Sequence, residues 1–315
     1  MLKVILSVFV VFLHGQLFLD VSPSVSHFFV NGLFRIAVPL FMLINGYYLL
    51  DALETRKFTS WAYRPLQAYA IWSLIYIPIW LPDCINKSSL YFCIGRTVFF
   101  GYFHLWYLPG LILGGAIIFH LRHRNKFLSA LLALGLFIMG TTIEYLPIIQ
   151  SNLSTKAGDS IILPNWINRN FLLFSFPYMF LGYFIRIFSL ETRINISTFS
   201  AVGLLSVLLF FLEVAFSYTS SMTANGFDMY FTLPLVCSFA FLLTLRAGKI
   251  ASDVDLSSFH LSKIANGIYF IHPLFLILAA TFTKSTFSSS IFAATAAFLC
   301  SAFLLRSKRL SFLLA

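Results

Sequence analysis

Two long apolar runs of the sequence each hold an ionisable side chain that could do acid–base chemistry. His14 lies within VVFLHGQLF, and Arg35 lies within LFRIAVPLFMLINGYYLL. Placing such groups in hydrocarbon is costly, so each needs a polar partner, a water-filled cavity or a catalytic task. A neutral imidazole can accept a proton from a hydroxyl group, and a guanidinium can stabilise developing negative charge. The pair therefore suggests acid–base and anion-stabilising chemistry inside a membrane.

Other polar side chains occur in comparable settings. His104 precedes Trp106 and Tyr107 in FHLWYLPG, a segment that could line a site or form an interfacial aromatic belt. Lys3 lies at the start of the first apolar run, where topology alone would place a lysine at the membrane edge. We interpret His272, in NGIYFIHPLF, as structural rather than catalytic.

The composition decides which elements must position these groups. Of 315 residues, 59% are hydrophobic and 10% are charged, and the mean hydropathy is +0.89. A soluble domain carries about 25% charged residues, so this is an integral membrane protein whose main partner is the lipid bilayer. The net charge of +10 would suggest nucleic acid in a soluble protein. Here the basic residues form short tracts between apolar runs, and we expect no nucleic-acid partner.

Ten apolar runs approach the length of about 20 residues that a membrane helix needs. They span residues 2–19, 31–50, 66–81, 104–121, 127–145, 171–187, 196–216, 229–245, 264–282 and 287–305. Membrane β-strands would be about 10 residues long and would alternate in polarity, so helices are the better assignment. We predict an all-α, polytopic protein of about ten transmembrane helices, forming one domain over residues 1–315.

The basic residues predict the orientation. With the N-terminus in the cytoplasm, fifteen of the 21 Lys and Arg residues face inward and five face outward, and Arg35 lies within a span. This bias follows the positive-inside rule and places both termini in the cytoplasm. No cleavable signal peptide is evident, so the first run is expected to remain as a helix. The segment before that run is very short, which leaves open a start upstream of Met1.

Helix geometry places several polar groups at similar depth. A rise of about 1.5 Å per residue puts His14 and Arg35 roughly 6–8 Å below the outer surface, on helices that are consecutive in the chain. Glu144 and Glu213 also fall near outer helix ends, where each could orient His14 or simply lie at the interface.

Two outer loops are longer than the others, at residues 82–103 and 146–170. Cys84 and Cys93 share the first loop and could form a disulfide if that side is oxidising, although spacing alone leaves the pairing open. Cys237 and Cys300 lie in apolar runs and are expected to be inert. The four cysteines form no metal-binding pattern, and we predict no bound metal or cofactor.

In order and spacing, the motifs of the chain resemble those of the acyltransferase family 3 membrane proteins. The resemblance covers nearly the whole sequence. It begins with Lys3 eleven positions before His14 in VVFLH, and continues through RIAVPLFMLINGYYL, HLWYL, NRNFLLFSFPYMFLGYFI and NGIYFIHPL. Members of this family are bacterial inner-membrane enzymes that transfer an acyl group, usually acetyl, from cytoplasmic acyl-CoA to a sugar hydroxyl beyond the membrane.

The resemblance implies a role for each candidate residue. His14 is the general base, with an acyl-histidine intermediate as a less economical route, and Arg35 stabilises the oxyanion or holds an anionic part of the donor. Lys3 contacts the CoA phosphates, with acetyl-CoA as a substrate rather than a bound cofactor. His104, Trp106 and Tyr107 line the substrate site. The implied acceptor is a surface glycan or its undecaprenyl-linked precursor. The O-antigen of lipopolysaccharide is the first candidate, and capsule, exopolysaccharide and enterobacterial-type common antigen stay open.

Two positions depart from the family pattern. Lys3 stands where the family often has Arg, so it keeps the charge but loses the planar, bidentate guanidinium. Asn45 replaces the usual serine in the segment NGYY. The main alternative is a glycan transporter or flippase, although the sequence lacks the paired, Gly/Pro-broken helices that such a fold favours. A glycan polymerase is a third interpretation, and the few basic residues of the 146–170 loop speak against it.

Overall fold

The computed structural model describes residues 1–86, 89–153, 164–220, 227–250, 258–307 and 309–314. All regular secondary structure within these ranges is helical, which confirms the predicted all-α class. The α-helices are α1 (Leu2–His14), α2 (Pro23–Ser26), α3 (Ala37–Glu54), α4 (Phe58–Ile75), α5 (Ile77–Ile85), α6 (Leu90–Phe100), α7 (Tyr107–Leu121), α8 (Lys126–Leu153), α9 (Phe176–Ile187), α10 (Leu190–Arg193), α11 (Ile196–Thr219), α12 (Leu233–Ile250), α13 (Ser258–Ala279) and α14 (Thr286–Arg306).

The ten predicted apolar runs all coincide largely with helices, but their lengths differ. Among the described residues, six helical segments are long and apolar enough to cross a membrane. Helices α4 and α5 together form a seventh candidate that is bent by 65°. The apolar helices α1, α9 and α12 are shorter than a usual span. The chain is therefore a multi-pass membrane protein, while ten spans and two cytoplasmic termini stay predictions.

The backbone is irregular where the first two predicted spans approach the site. Helix α1 ends at His14, because Gln16 and Phe18 adopt left-handed φ angles of 53° and 70°. A wide helical turn, His27–Gly32, leads into the second run, and a tight one, Leu33–Ile36, follows it before α3 starts. His14 and Arg35 therefore lie at helix ends rather than in the middle of regular spans. Irregular backbone at membrane depth is tolerated where protein or a cavity surrounds it.

Helix α3 is buried along most of its length and packs closely against α9. Two glycines allow this approach. A Cβ atom on Gly46 would lie 1.9 Å from the carbonyl oxygen of Met179, and one on Gly182 would lie 1.9 Å from that of Leu43. Small residues at such crossings let helix backbones come together in membranes. The α3–α9 pair thus forms a close helix crossing within the main hydrophobic core.

The predicted outer loop at residues 82–103 is mostly helical. Helix α4 ends before α5 because Pro78 has no backbone N–H to continue the ladder. Cys84 of α5 and Cys93 of α6 form a disulfide with Cα atoms 5.5 Å apart, the pairing that the sequence left open. In the second loop, α8 continues to Leu153, and residues 154–163 lie outside the described part of the chain.

Candidate active site

Three histidines from separate segments converge beside the C-terminal end of α1. The imidazole of His14 stacks on that of His272 in α13, with ring centroids 5.4 Å apart. His272 meets His104 edge to face at 5.2 Å. The structure thus brings two predicted site residues together with a third histidine that the sequence had suggested was structural.

Local backbone chemistry explains how two of these rings are placed. His104 lies in the tight turn Phe103–Trp106, which follows Gly101 at a φ of +88°. A Cβ atom on Gly101 would lie 2.5 Å from the backbone nitrogen of Trp106, so the turn requires glycine. In α13, Pro273 lacks the N–H that would bond to the Tyr269 carbonyl. The Nδ1 atom of His272 lies 2.7 Å from that carbonyl oxygen instead.

This contact defines the tautomer of His272. A carbonyl oxygen only accepts hydrogen bonds, so Nδ1 carries the proton and Nε2 presents a lone pair. The His272 ring is fully buried, and its Nε2 has no hydrogen-bond partner among the described residues.

Arg35 is buried and belongs to an ion-pair group near His14, whose other members, Asp228 and Arg169, are partly exposed. Asp228, just before α12, accepts from Arg35 Nη1 through one carboxylate oxygen and from Arg169 Nε through the other. Arg35 Nη2 donates to Asn31 Oδ1 at 3.0 Å. Its Nε is buried and has no partner in the described part of the chain. Arg35 is therefore held by two contacts and keeps one N–H available for a ligand.

A second carboxylate supports this ion-pair group. Glu144 Oε1 accepts from the backbone N–H of Asp228 at 3.1 Å, and Oε2 accepts from the side chain of Asn168 at 2.6 Å. Glu144 thereby links α8 to the segment before α9 through Asn168, and to the segment before α12 through Asp228. Glu213 lies elsewhere, where it accepts from Tyr145 and from the backbone of Phe231 and Thr232.

The charges of the group act on one another and on His14. Burial raises the pKa of Asp228, but the adjacent Arg169 and Arg35 outweigh it and hold that pKa below its ordinary value. Arg35 and Arg169 also lie near enough to His14 to act on its ring electrostatically. A positive field at this position favours an anion that forms beside His14.

A cavity of about 550 Å³ approaches the histidines from the opposite end of the bundle. Its lining includes three basic residues, Lys3, Arg64 and Lys263. It also includes Tyr269 and Tyr107, whose rings lie 5.4 Å apart. The Tyr269 ring contacts His104 at 5.5 Å, and its hydroxyl donates to the His104 carbonyl oxygen at 2.6 Å. The aromatic side chains thus form a continuous row from the basic cavity to His14.

The remaining predicted residues occupy different positions around this row. Lys3 lines the cavity and donates to Ser262 Oγ at 3.3 Å. Tyr107 also lines it, and its hydroxyl accepts from Asn45 Nδ2 at 2.8 Å. The Asn45 side chain that departs from the family pattern therefore takes part in the cavity wall. Trp106 packs edge-on against Phe174 at 5.1 Å. The basic tract RHRNK at residues 122–126 does not contribute to the cavity lining.

Three residues of the site were not selected from the sequence. Arg169 and Asp228 lie in segments between helices, and sequence spacing does not reveal that both reach Arg35. The sequence did carry a signal for His272. A proline inside a helix leaves the carbonyl four residues before it without its usual N–H donor, and the histidine directly before the proline can bond to that carbonyl. Among the described residues, no group of three or more His, Cys, Asp or Glu side chains has the arrangement of a metal site.

These observations define a multi-pass helical membrane protein with a buried histidine and arginine site and a basic cavity that leads to it. The chain belongs to acyltransferase family 3, because the family described as "Acyltransferase domain" matches residues 1–306. This confirms the resemblance seen in the motifs.

Curated relatives carry a different name. The chain is 22% identical to an "Amino-acid racemase" of Enterococcus faecalis, over 90% of this chain and 41% of the relative. It is 25% identical to a "Serine/alanine racemase" of Enterococcus gallinarum, over 76% of this chain and 35% of the relative. The chain thus spans less than half the length of these relatives. No solved structure matches it.

Proposed function

We propose that the protein is an O-acyltransferase that moves an acyl group, acetyl in the first instance, from acyl-CoA to a sugar hydroxyl. The observation that carries this proposal is the row of side chains that joins a basic cavity to His14 beside Arg35. A donor and an acceptor that approach from opposite sides of a membrane need such a connection. The membership of acyltransferase family 3 supports the same reaction class.

His14 acts as the general base in this proposal. The acceptor oxygen bonds to the thioester carbon while its proton moves to the His14 ring. The tetrahedral oxyanion then collapses, the carbon–sulfur bond breaks, and the departing thiolate takes the proton from His14. The products are an O-acyl sugar and CoA.

Arg35 stabilises the oxyanion. Its Nη1 and Nη2 atoms are held by Asp228 and Asn31, and its buried Nε has no partner among the described residues. A preorganised, buried donor of this kind acts strongly on developing charge. An arginine that only snorkels to headgroups would instead be exposed at its tip.

The cavity is the proposed donor site. Its volume of about 550 Å³ is within the range of about 300–1,000 Å³ common for small-molecule pockets. Lys3, Arg64 and Lys263 would bind the CoA phosphates, while the thiol-bearing arm extends past Tyr107 and Tyr269. His104, Trp106 and Tyr107 remain the proposed substrate-binding residues. The acceptor is proposed to be a surface glycan or its undecaprenyl-linked precursor.

The disulfide supports the proposed orientation in a bacterial inner membrane. Cys84 and Cys93 belong to the two helices that precede the His104 turn. Disulfides persist in oxidising compartments, so this end of the bundle faces away from the cytoplasm in the proposal. The basic cavity then opens towards the cytoplasm, where acyl-CoA is made.

Transport is the second candidate function, and the names of the curated relatives do not exclude it. They are named racemases and are more than twice as long as the part that this chain matches, so their named activity need not reside in that part. A transporter would use the buried charges to line a route. A transporter variant without His14 leaves glycan on the wrong face, whereas an acyltransferase variant leaves normal glycan without its ester.

Proton NMR of purified surface polysaccharide tests the proposal. Wild type and His14→Ala are expressed at matched membrane levels in a host that lacks its own copy. We expect base-labile acetyl signals with wild type only, since loss of a general base costs about 10²–10⁴ in rate. The same ester in both strains would remove His14 from this role. A change in glycan amount without any ester would favour transport.

A further inference from the structure

The guanidinium of Arg35 is held at both of its Nη atoms. Nη1 donates to Asp228, and Nη2 donates to Asn31 Oδ1 at 3.0 Å. A planar group that is held at two of its nitrogens has a fixed plane, so the direction of its Nε–H is fixed as well. That N–H is the one proposed to meet the oxyanion. The orientation of the Asn31 amide therefore decides whether Arg35 keeps one of its two contacts.

His27 determines which way the Asn31 amide faces. The Nδ2 atom of Asn31 lies 3.1 Å from Nδ1 of His27, four residues earlier in the chain. An amide NH2 group only donates hydrogen bonds, so this contact requires a lone pair on Nδ1. A protonated Nδ1 would instead attract Asn31 Oδ1, and the amide would then present its NH2 group to Arg35, donor against donor.

Helix α11 fixes the tautomer of His27. The Nε2 atom lies 3.3 Å from the Val214 carbonyl oxygen and 3.0 Å from Ser217 Oγ. Ser217 donates its own proton to the Val214 carbonyl at 2.7 Å, so its oxygen accepts from His27. Both neighbours of Nε2 are acceptors, which places the ring proton on Nε2 and leaves the lone pair on Nδ1.

The three side chains thus form a hydrogen-bond series with a single direction. His27 donates to α11, Asn31 donates to His27, and Arg35 donates to Asn31. His27, which is 6% exposed, and Asn31 belong to the wide turn His27–Gly32, and Arg35 lies in the tight turn that follows. Single wide turns of this kind are frequent at functional sites. The irregular backbone before α3 therefore carries a series of contacts that ends at a proposed catalytic group.

We propose that His27 and Asn31 are positioning residues that orient Arg35 for stabilisation of the oxyanion. The inference rests on the proposed acyl transfer and deepens it. His27 fixes the Asn31 amide, and that amide fixes the plane of the guanidinium. Loss of the series therefore lowers kcat and leaves the KM for acetyl-CoA unchanged, because the described lining of the donor cavity does not include these residues.

Two substitutions of His27 separate positioning from simple packing. The amide of glutamine reaches the place of Nε2, and that of asparagine reaches the place of Nδ1. His27→Gln therefore keeps a donor for α11 and loses the acceptor for Asn31, whereas His27→Asn does the reverse. We expect kcat to fall about tenfold in His27→Gln and to stay within about threefold of wild type in His27→Asn. The melting temperature should fall more in His27→Asn, which loses its contacts with α11.

The kinetic parameters are measured with radiolabelled acetyl-CoA in inverted membrane vesicles at matched protein levels. Ser206→Ala is the control, since it removes a different buried hydrogen bond of α11, to the Gly203 carbonyl, and should leave kcat unchanged. A double substitution tests whether the effect passes through Arg35. Arg35→Lys keeps the charge and loses the planar fork, so adding His27→Gln to it should lower kcat by less than about threefold.

The outcomes separate this inference from the proposed function. A kcat that follows the melting temperature and is lowest in His27→Asn would overturn the inference, because His27 would then only pack against α11. An equal tenfold loss from His27→Gln with and without Arg35→Lys would also overturn it. If wild type transfers acetyl and both His27 variants match its kcat, acyl transfer stands and the positioning role is rejected. If wild type transfers no acetyl group, the proposed function is wrong, and the inference is wrong with it.

Discussion

At the scale of single residues, Asp228 has the largest predicted effect outside the histidines. It bridges Arg35 and Arg169, so Asp228→Ala leaves the buried Arg35 and the partly exposed Arg169 without their common partner. Breaking one side of a fully buried ion pair destabilises a protein by about 3–5 kcal/mol, and the partial exposure of Asp228 and Arg169 places the expected loss at the low end. We expect a lower melting temperature in detergent and a fall in kcat that exceeds the change in KM for acyl-CoA, with partial rescue by Asp228→Glu.

A second acid–arginine pair provides the matched control. Asp51 and Arg186 are 3.4 Å apart, with side chains 53% and 38% exposed. Exposed pairs contribute about 0–1 kcal/mol, so Asp51→Asn should leave the melting temperature and kcat nearly unchanged. Equal effects of the Asp228 and Asp51 substitutions would contradict the positioning role of Asp228.

The depressed pKa of Asp228 also predicts a dependence of stability on pH. Its folded pKa lies below the unfolded value of about 4. The ionised carboxylate therefore stabilises the fold above about pH 4, and this contribution is lost as the pH falls through the folded pKa. We expect the melting temperature of wild type to exceed that of Asp228→Asn at pH 7, with the gap closing towards pH 3. A gap that is independent of pH would count against the ion pair.

At the scale of helices, the contact between α3 and α9 is the most demanding. Gly46→Ala or Gly182→Ala would drive a methyl group into a backbone carbonyl, so the helices must separate. We expect either variant to lower the melting temperature strongly and to reduce activity through Arg35, which lies in the tight turn directly before α3.

Gly135→Ala in α8 is the control for these substitutions. No atom lies within 4 Å of the added Cβ, and alanine favours a helix interior over glycine by about 1 kcal/mol. This variant should be neutral or slightly more stable by the same thermal measurement. A similar loss in all three variants would mean that the close crossing of α3 and α9 is not what the glycines provide.

The sequence predicted the positions of the helices better than the contacts between them. Apolar runs located the helices well, because hydrophobic length alone requires them in a membrane. The irregular turns at Gln16 and Gly101 were not foreseen, because they depend on φ angles that apolar patterning does not encode. The Arg35–Asp228–Arg169 group was missed for another reason. Its members are distant in sequence, and only packing decides which helix faces converge.

At the scale of the whole molecule, the disulfide tests which end of the bundle is oxidising. Both cysteines are buried, so the labelling is done on protein denatured from untreated membranes. We expect Cys84 and Cys93 to react with maleimide only after reduction, because they are paired. The remaining cysteines, Cys237 and Cys300, provide the control, since reduction should not change their labelling. If Cys84 and Cys93 are labelled without reduction, the proposed outward orientation of this end loses its support.

The central claim is that His14 is the general base for the transfer of an acyl group from acyl-CoA on the cytoplasmic side to a hydroxyl acceptor. Its most direct test is the transfer of a radiolabelled acetyl group from acetyl-CoA added to the cytoplasmic face of inverted membrane vesicles that contain host glycan precursors. We predict base-labile label on the glycan with wild type and a loss of at least about 100-fold with His14→Ala. Equal labelling by both proteins, or glycan translocation without any labelling by wild type, would contradict the account.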